Sequence, residues 1–464
     1  MVFSSMIFLW LFLPITIIGY YLVGKKLKNG FLLAASLFFY AWGEPVYILL
    51  MATSILVNWA FGLLMEKSEK HKRLVLLADI AFNLALLGYF KYAGFFLSTA
   101  NALFHTSFAG REIALPIGIS FYTFQILSYM IDLYRGQYKA QRSILSLALY
   151  ISFFPQLIAG PIVKYKDIDD QLLQRTHTAE KAAAGMKRFA YGLGKKVLIA
   201  NTLAKSVDLI FALDSANLTG WLAWVGTLFY SLQIYYDFSG YSDMAIGLGK
   251  IFGFEFQENF DDPYMAHSIQ NFWRRWHISL SSWFREYLYI PLGGSKKGKG
   301  RTYVNLLIVF FITGLWHGAG WTFVLWGLYH GLFSIIERLG LKKLLNRRRA
   351  LGHIYALLVV AFGWVLFRAD SLAQAALFYE RMLLPFQSLN TAVSLRQVFG
   401  NGAVIAAAIG ILGCGIVKRF GHEMGLTDKW KNSYAEIAFC ALIMVFSIVL
   451  LASNTYNPFI YFRF

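Results

Sequence analysis

The sequence predicts an all-α polytopic membrane protein, and three observations carry that expectation. Of 464 residues, 58% are hydrophobic and only 15% charged, where a soluble domain carries about 25% charged residues. The mean hydropathy is +0.52, and the apolar residues fall into runs close to the roughly 20 residues that cross a hydrocarbon core about 30 Å thick. The net charge of +18 sits in short basic clusters between those runs. That is the distribution of cytoplasmic loops and not the continuous patch of a nucleic-acid binder. Disorder is excluded by 42 Phe, 27 Tyr and 13 Trp, too much apolar surface to leave in water.

The candidate spans, in order, are 3–23, 30–43, 46–65, 74–104 (broken near Lys91), 116–134, 143–162, 188–212, 219–237, 302–317, 321–337, 354–368, 402–417 and 435–452. Allowing for re-entrant and interfacial pieces, the expectation is about 11 crossings. The run Phe3–Val23 lacks a basic n-region and an A-x-A-like cleavage site, so it reads as a retained first helix and not as a signal peptide. No repeat, low-complexity tract or linker interrupts the chain, so residues 1–464 read as a single membrane domain. Lys25, Lys26 and Lys28, then Lys67, Lys70, Lys72 and Arg73, then Arg135, Lys139 and Arg142, then Arg347, Arg348 and Arg349 follow successive spans. Placing them in the cytoplasm puts the N-terminus outside. Cys414 and Cys440 lie in apolar runs and read as small buried hydrophobes, with no disulfide or metal role.

Polar residues that membrane depth does not explain concentrate between 228 and 331. Tyr235-Tyr236-Asp237-Phe238-Ser239-Gly240-Tyr241-Ser242-Asp243 reads in one of two ways. Either a helix ends there and its Asp and Ser cap a new helix from about Met244, or the cluster lines a cavity with Asp237 as its acid. Trp273, Trp276, Leu280, Trp283 and Phe284 recur at helical spacing while Arg274, Arg275, Arg285 and Glu286 fall elsewhere. This fits an interfacial amphipathic helix with an aromatic belt, yet His277, Ser279, Ser281 and Ser282 add polarity that an anchor does not need. Pro291-Leu292-Gly293-Gly294 then makes a turn into Lys296, Lys297, Lys299 and Arg301. Positive-inside bias explains those cations; contact with an anionic donor such as coenzyme A or an acidic carrier protein is the other reading.

From that loop, 303–316 climb as about 14 apolar residues, or roughly 20 Å at 1.5 Å each, some two thirds of the core. The chain there reads Leu315-Trp316-His317-Gly318-Ala319-Gly320-Trp321 and returns through 321–337. His317 is therefore submerged, where ionisable groups are costly and face functional cavities. His330, midway down the return, divides evenly between such a role and a buried packing one. An imidazole that titrates near neutrality suits general-base work on a hydroxyl or thiol. No Ser-His-Asp order, HExxH, P-loop or dinucleotide fingerprint accompanies it. Composition and spacing stop at a membrane protein with a buried histidine site.

Longer strings go further. Phe272-Trp273-x-Arg275-Trp276-His277-x-Ser279-Leu280-Ser281-x-Trp283-Phe284-Arg285-x-Tyr287, then Pro291-Leu292-Gly293-Gly294, then Gly314-Leu315-Trp316-His317-Gly318 resemble the membrane-bound O-acyltransferase (MBOAT) superfamily. Pro116-Ile117-Gly118-Ile119-Ser120-Phe121-Tyr122, Gly160-Pro161-Ile162 and Asp237–Asp243 add to the likeness, which covers about 110–335. Within the superfamily the chain is similar to the alginate O-acetyltransferase (AlgI, PatA-like) branch, with DltB-like proteins as relatives. The resemblance implies a ring of transmembrane helices around a thin centre, with a tunnel joining a cytoplasmic donor to an extracytoplasmic acceptor. It places the near-invariant active-site histidine on His317 and the second polar position on His277. Trp316 and Trp276 then line the tunnel, with Asp237, Ser279 and His330 as further lining candidates. It implies no bound cofactor, an acetyl-CoA or other acyl-thioester donor, a polysaccharide acceptor, an SGNH-type extracytoplasmic partner, contact with membrane lipid, and location in the cytoplasmic membrane. D-alanyl transfer to teichoic acid, as in DltB-like proteins, is the alternative within the class. A transporter would show paired broken half-segments in two chain halves, and the polar-rich region here is single.

Overall fold

The computed structural model describes residues 1–110, 113–386, 391, 393–400, 402–453 and 456–460. Among them there is helix and no strand, as the composition requires of a chain whose backbone polar groups must be satisfied within each segment. The chain divides into two compact units: Met1–Phe189 with Met244–Gln257, and Ala190–Asp243 with Glu258–Phe464.

In the first unit, Phe8–Leu22, Lys28–Gly43, Tyr47–Lys67 and Ile119–Tyr134 match expected runs. The run 74–104 lies in one helix, Glu69–Phe104. The break expected near Lys91 is a wider π-turn at Gly88–Tyr92, which loosens the ladder by one turn without ending it. The run 143–162 does not form a span. Ile144–Ser152 stops at Phe153, and Phe154–Leu157 adds one turn, because Pro155 and Pro161 cannot donate to a continuing ladder. The unit's core is aromatic, with Phe3, Phe8, Phe12, Phe39 and Phe154 buried against one another. Asn58 and Asn83 exchange amide hydrogen bonds (3.2 and 2.8 Å) between two neighbouring helices, which satisfies polar groups that lipid could not.

In the second unit the helix expected over 188–212 continues through a π-turn at Lys195–Ala200 into Asn201–Phe211. The helix Gly220–Ile251, of which the part to Asp243 belongs to this unit, runs unbroken for 32 residues, so Asp237–Asp243 neither ends a helix nor caps another. The aromatic stretch after it is not the interfacial helix its spacing suggested. Ile269–Trp273 and Ile278–Phe284 are separated by a turn in which His277 adopts φ 44°, ψ 56°. An L-residue there cannot carry an α-helix onward, and Trp273, Trp276, Trp283 and Phe284 are buried instead of forming a belt.

Lys299–His317 and Trp321–Ile336 form the expected hairpin, turning at Gly318–Gly320. Its arms touch backbone to backbone. A Cβ on Gly314 would lie 2.3 Å from the Phe323 carbonyl oxygen, and one on Gly327 would lie 2.2 Å from that of Phe310. Small residues permit this approach in membrane helix pairs. Arg349–Arg368 packs beside the hairpin, Ala403–Gly413 and Ile416–Glu423 meet at 48°, and Tyr434–Ser453 follows. Four helices among the described residues are long and apolar enough to span, five with the bent pair. The expected 11 is not reached by that measure, since several apolar helices are shorter than 18 residues.

Gly314→Val and Gly327→Val should each separate the hairpin arms and destabilise the protein by about 1–3 kcal/mol or more, the usual range for overpacking. Gly88→Ala, where no atom lies within 4 Å of the added carbon, should be neutral. Thermal unfolding of the detergent-solubilised variants checks the difference.

Candidate active site

His317 is the last residue of the Lys299–His317 helix, after which Gly318 leaves in an extended conformation. The imidazole is 5% exposed. Rings of Trp316, Trp326 and Phe367 lie at 4.8, 5.0 and 5.1 Å from it. His277, wholly buried, brings its ring to 6.5 Å from that of His317. It stands edge-on to Phe238 at 4.6 Å and beside Trp316 at 5.8 Å. A narrow hollow adjoins His317, which lines it together with Ile234, Phe238, Trp276, Trp326, Trp364, Phe367 and Ile460; His277 is not itself among the lining residues. Everything in that wall except the histidine is apolar or aromatic.

Asn259 determines how His277 is presented. Its side-chain oxygen receives the backbone N–H of Ser279 (3.2 Å) and the Ser279 hydroxyl (2.9 Å). A backbone amide only donates, so the atom facing it must be the Asn oxygen and not its NH₂. The same oxygen lies 3.1 Å from His277 Nδ1, so Nδ1 carries the proton and Nε2 keeps its lone pair. Among the described residues, Nε2 meets no hydrogen-bond partner. The assignment follows from hydrogen-bond logic, as tautomers generally must. The Asn259 backbone also accepts the Ile278 N–H at 3.0 Å, and Asp261 N–H bonds to the Arg275 carbonyl at 3.0 Å. These contacts hold the left-handed turn at His277, a conformation that costs on the order of 1–3 kcal/mol and tends to persist at functional sites.

The other candidates fall in different places. Trp316 is buried between His277 and His317, and Trp276 lines the hollow. Ser279 is occupied by Asn259. His330 is buried one turn beyond Trp326, among Phe272, Trp273, Trp326 and Tyr329. A Cβ on Gly363 would come within 2.7 Å of its Nε2, and it is not among the residues lining the hollow. Asp237 is paired with Lys196 at 2.6 Å and accepts the Ile460 N–H at 2.8 Å. Lys296, Lys297, Lys299 and Arg301 are exposed, and Lys299 begins the helix that His317 ends, about 27 Å away at 1.5 Å per residue.

Asn259, Lys196 and Ile460 escaped the reading from sequence. Lys196 had a signal, since a lysine inside the apolar run 188–212 is costly in a membrane and calls for a role. Asn259 had none, because it sits in an ordinary polar stretch between runs. Ile460 is apolar like its surroundings and becomes part of the site only through folding.

The model of the family described as "MBOAT, membrane-bound O-acyltransferase family" matches residues 37–378. The chain is 43% identical to a Pseudomonas putida protein named "Probable alginate O-acetylase AlgI", over 100% of both chains. It is 47% identical to the Pseudomonas aeruginosa protein of the same name, over 82% of this chain and 75% of that one. It is 38% identical to a Helicobacter pylori "Peptidoglycan O-acetyltransferase", over 81% of this chain and 78% of that one.

With ¹⁵N-histidine labelling, the His277 ring should show one protonated nitrogen, Nδ1, and one bare nitrogen, Nε2, the signals being assigned by their loss in His277→Gln. Asn259→Ala should give mixed tautomers, while Asn259→Asp, which still accepts all three donors, should keep the single one. NMR of the labelled protein in nanodiscs reads this directly.

Proposed function

We propose that this chain, which belongs to the membrane-bound O-acyltransferase family, is an O-acetyltransferase of the cytoplasmic membrane acting on an extracytoplasmic polysaccharide. The O-acyltransferase class and the membrane setting follow from the family. The acetyl group, the acetyl-CoA-type cytoplasmic donor and the polysaccharide acceptor are the proposal, supported by the end-to-end likeness to a protein named as an alginate O-acetylase. The observation that carries the chemistry is the pair of buried imidazoles 6.5 Å apart, of which His317 lines an apolar hollow.

In this reading the acceptor hydroxyl oxygen attacks the thioester carbonyl carbon. A C–O bond forms, the hydroxyl proton passes to His317, and the C–S bond then breaks, the departing sulfur taking that proton. His277, with Nδ1 held by Asn259, presents a lone pair at Nε2. It therefore accepts a hydrogen bond from the incoming hydroxyl and orients it; in its neutral form it has no proton there to give the acyl oxygen. An apolar wall excludes water that would hydrolyse the thioester, and it accommodates a methyl group better than a charged one. The exposed cations at 296–301 stand at the cytoplasmic end of the helix, where they attract the phosphates of a coenzyme A donor. The N-terminus is extracytoplasmic in this orientation, and an SGNH-type partner receives or relays the acetyl group outside, with lipid around the helices.

Replacing His317 by Ala should abolish O-acetylation of the host's exopolysaccharide while the protein still inserts; compositional analysis of the polymer is the test. Full acetylation by a well-expressed His317→Ala protein would end the catalytic reading. His277→Ala should cost about 10²–10⁴-fold, the range for a positioned acid–base group. Neutralising Lys296, Lys297, Lys299 and Arg301 together should raise the KM for donor with kcat nearly unchanged, because such contacts are made equally in the ground and transition states. A large fall in kcat at constant KM would contradict the donor role.

A further inference from the structure

One wall of the hollow comes from far along the chain. Ile460 lines it with His317, and what holds Ile460 there is a buried ion pair more than two hundred residues earlier. Lys196 and Asp237 are each 2% exposed and lie 2.6 Å apart. Burying two charges is expensive unless further hydrogen bonds satisfy the rest of each group. Lys196 Nζ donates also to Asn201 Oδ1 at 2.8 Å and to the Pro458 carbonyl. Asp237 Oδ2 accepts the Ile460 N–H at 2.8 Å. Part of what completes this ion pair is therefore the backbone of 458–460. Side chains extend the docking: Asn201 donates to Asn457 at 3.0 Å, the Tyr456 hydroxyl reaches the Asp208 carboxylate, and the Phe459 ring stacks on Tyr241 at 4.8 Å. Lys196 lies in the π-turn Lys195–Ala200, an irregularity frequent at functional sites. Its neighbour Lys195 pairs separately with Asp243 at 2.7 Å.

We infer that Lys196 and Asp237 are positioning residues for acyl transfer. Through the Pro458 carbonyl and the Ile460 amide they dock segment 456–460 so that Ile460 closes the side of the acyl hollow facing His317. This rests on the acetyltransferase reading above. The docked segment bounds the space in which the two-carbon acyl group meets the histidine. Misplacing such a wall by about 1 Å is enough to cost on the order of 10²-fold in rate.

The test uses the full chain with Cys414→Ala and Cys440→Ala and a single Ile460→Cys reporter. Thiol labelling by a small maleimide in detergent reads docking, and acetyl transfer is measured in parallel without the reporter. With the ion pair intact, labelling should be slow. The double variant K196M/D237L replaces the pair by apolar groups of similar size, a change that buried pairs often tolerate. It should melt near the parent temperature, label about tenfold faster as local protection is lost, and transfer acetyl about 10²-fold more slowly, mainly in kcat. The charge swap K196D/D237K separates docking from a merely structural role. It restores an ion pair, but a lysine has no acceptor for the Ile460 N–H and an aspartate no donor for the Pro458 carbonyl. The swap should therefore also melt near the parent temperature and recover neither slow labelling nor transfer. Recovery of transfer by the swap, unchanged labelling in a folded double variant, or fast labelling with undiminished transfer would each overturn the inference. Absence of acetyl transfer in the parent protein would instead overturn the acetyltransferase reading, and the labelling series would still decide whether the ion pair docks the segment.

Discussion

A single side-chain oxygen, that of Asn259, organises the centre of the second unit. By taking the backbone N–H of Ser279, the Ser279 hydroxyl and Nδ1 of His277, it holds a residue in the left-handed region where a helix would otherwise run on. Because the helix stops at Trp273 and restarts at Ile278, the tryptophans turn inward and His277 meets Phe238 and Trp316. The tautomer is set by the same contact. Turn, aromatic burial and tautomer are consequences of one acceptor satisfied three times.

The second constraint is steric. Gly314 and Gly327 let the hairpin arms approach within backbone contact, and this places the end of the Lys299–His317 helix against Trp326 and Phe367. His317 is thus held in a rigid aromatic frame. In the proposed reaction such a frame pre-orients His317 as the base and excludes water, and electrostatic effects gain strength where water is absent. The basic residues at the other end of the same helix are exposed and separated from the histidine by the helix length. In the proposed reaction, charge attraction and chemistry are accordingly divided between two ends of one element.

Several charged residues of this unit are buried, Glu337, Arg368 and Arg381 among them. Lys196 and Asp237 are fully withdrawn from solvent, and they are completed by backbone groups of a remote segment. Elsewhere in the unit ion pairs such as Lys418 with Asp262 are partly exposed, where they contribute little. The contrast marks the buried pair as a joint between distant parts of the chain.

Membrane class, most helical segments, the hairpin and the two histidines were legible in the sequence, because each rests on local information. Apolar runs report burial in lipid, basic clusters report loops, and His317 stands beside a Gly-Ala-Gly break. The motif strings around His277 and His317 supplied the family, with which the matched residues 37–378 agree. Tertiary structure decided what local spacing cannot encode. The tryptophans at helical intervals suggested one amphipathic helix, yet the turn at His277 depends on Asn259, eighteen residues earlier. Asp237 read as a cap or a cavity acid, yet a lysine forty-one residues before it and an amide 223 residues after it claim the carboxylate. The apolar run 143–162 was long enough to span, yet prolines divide it. Periodicity says which face of an element is apolar; the partner that a buried polar group finds is a property of the folded chain.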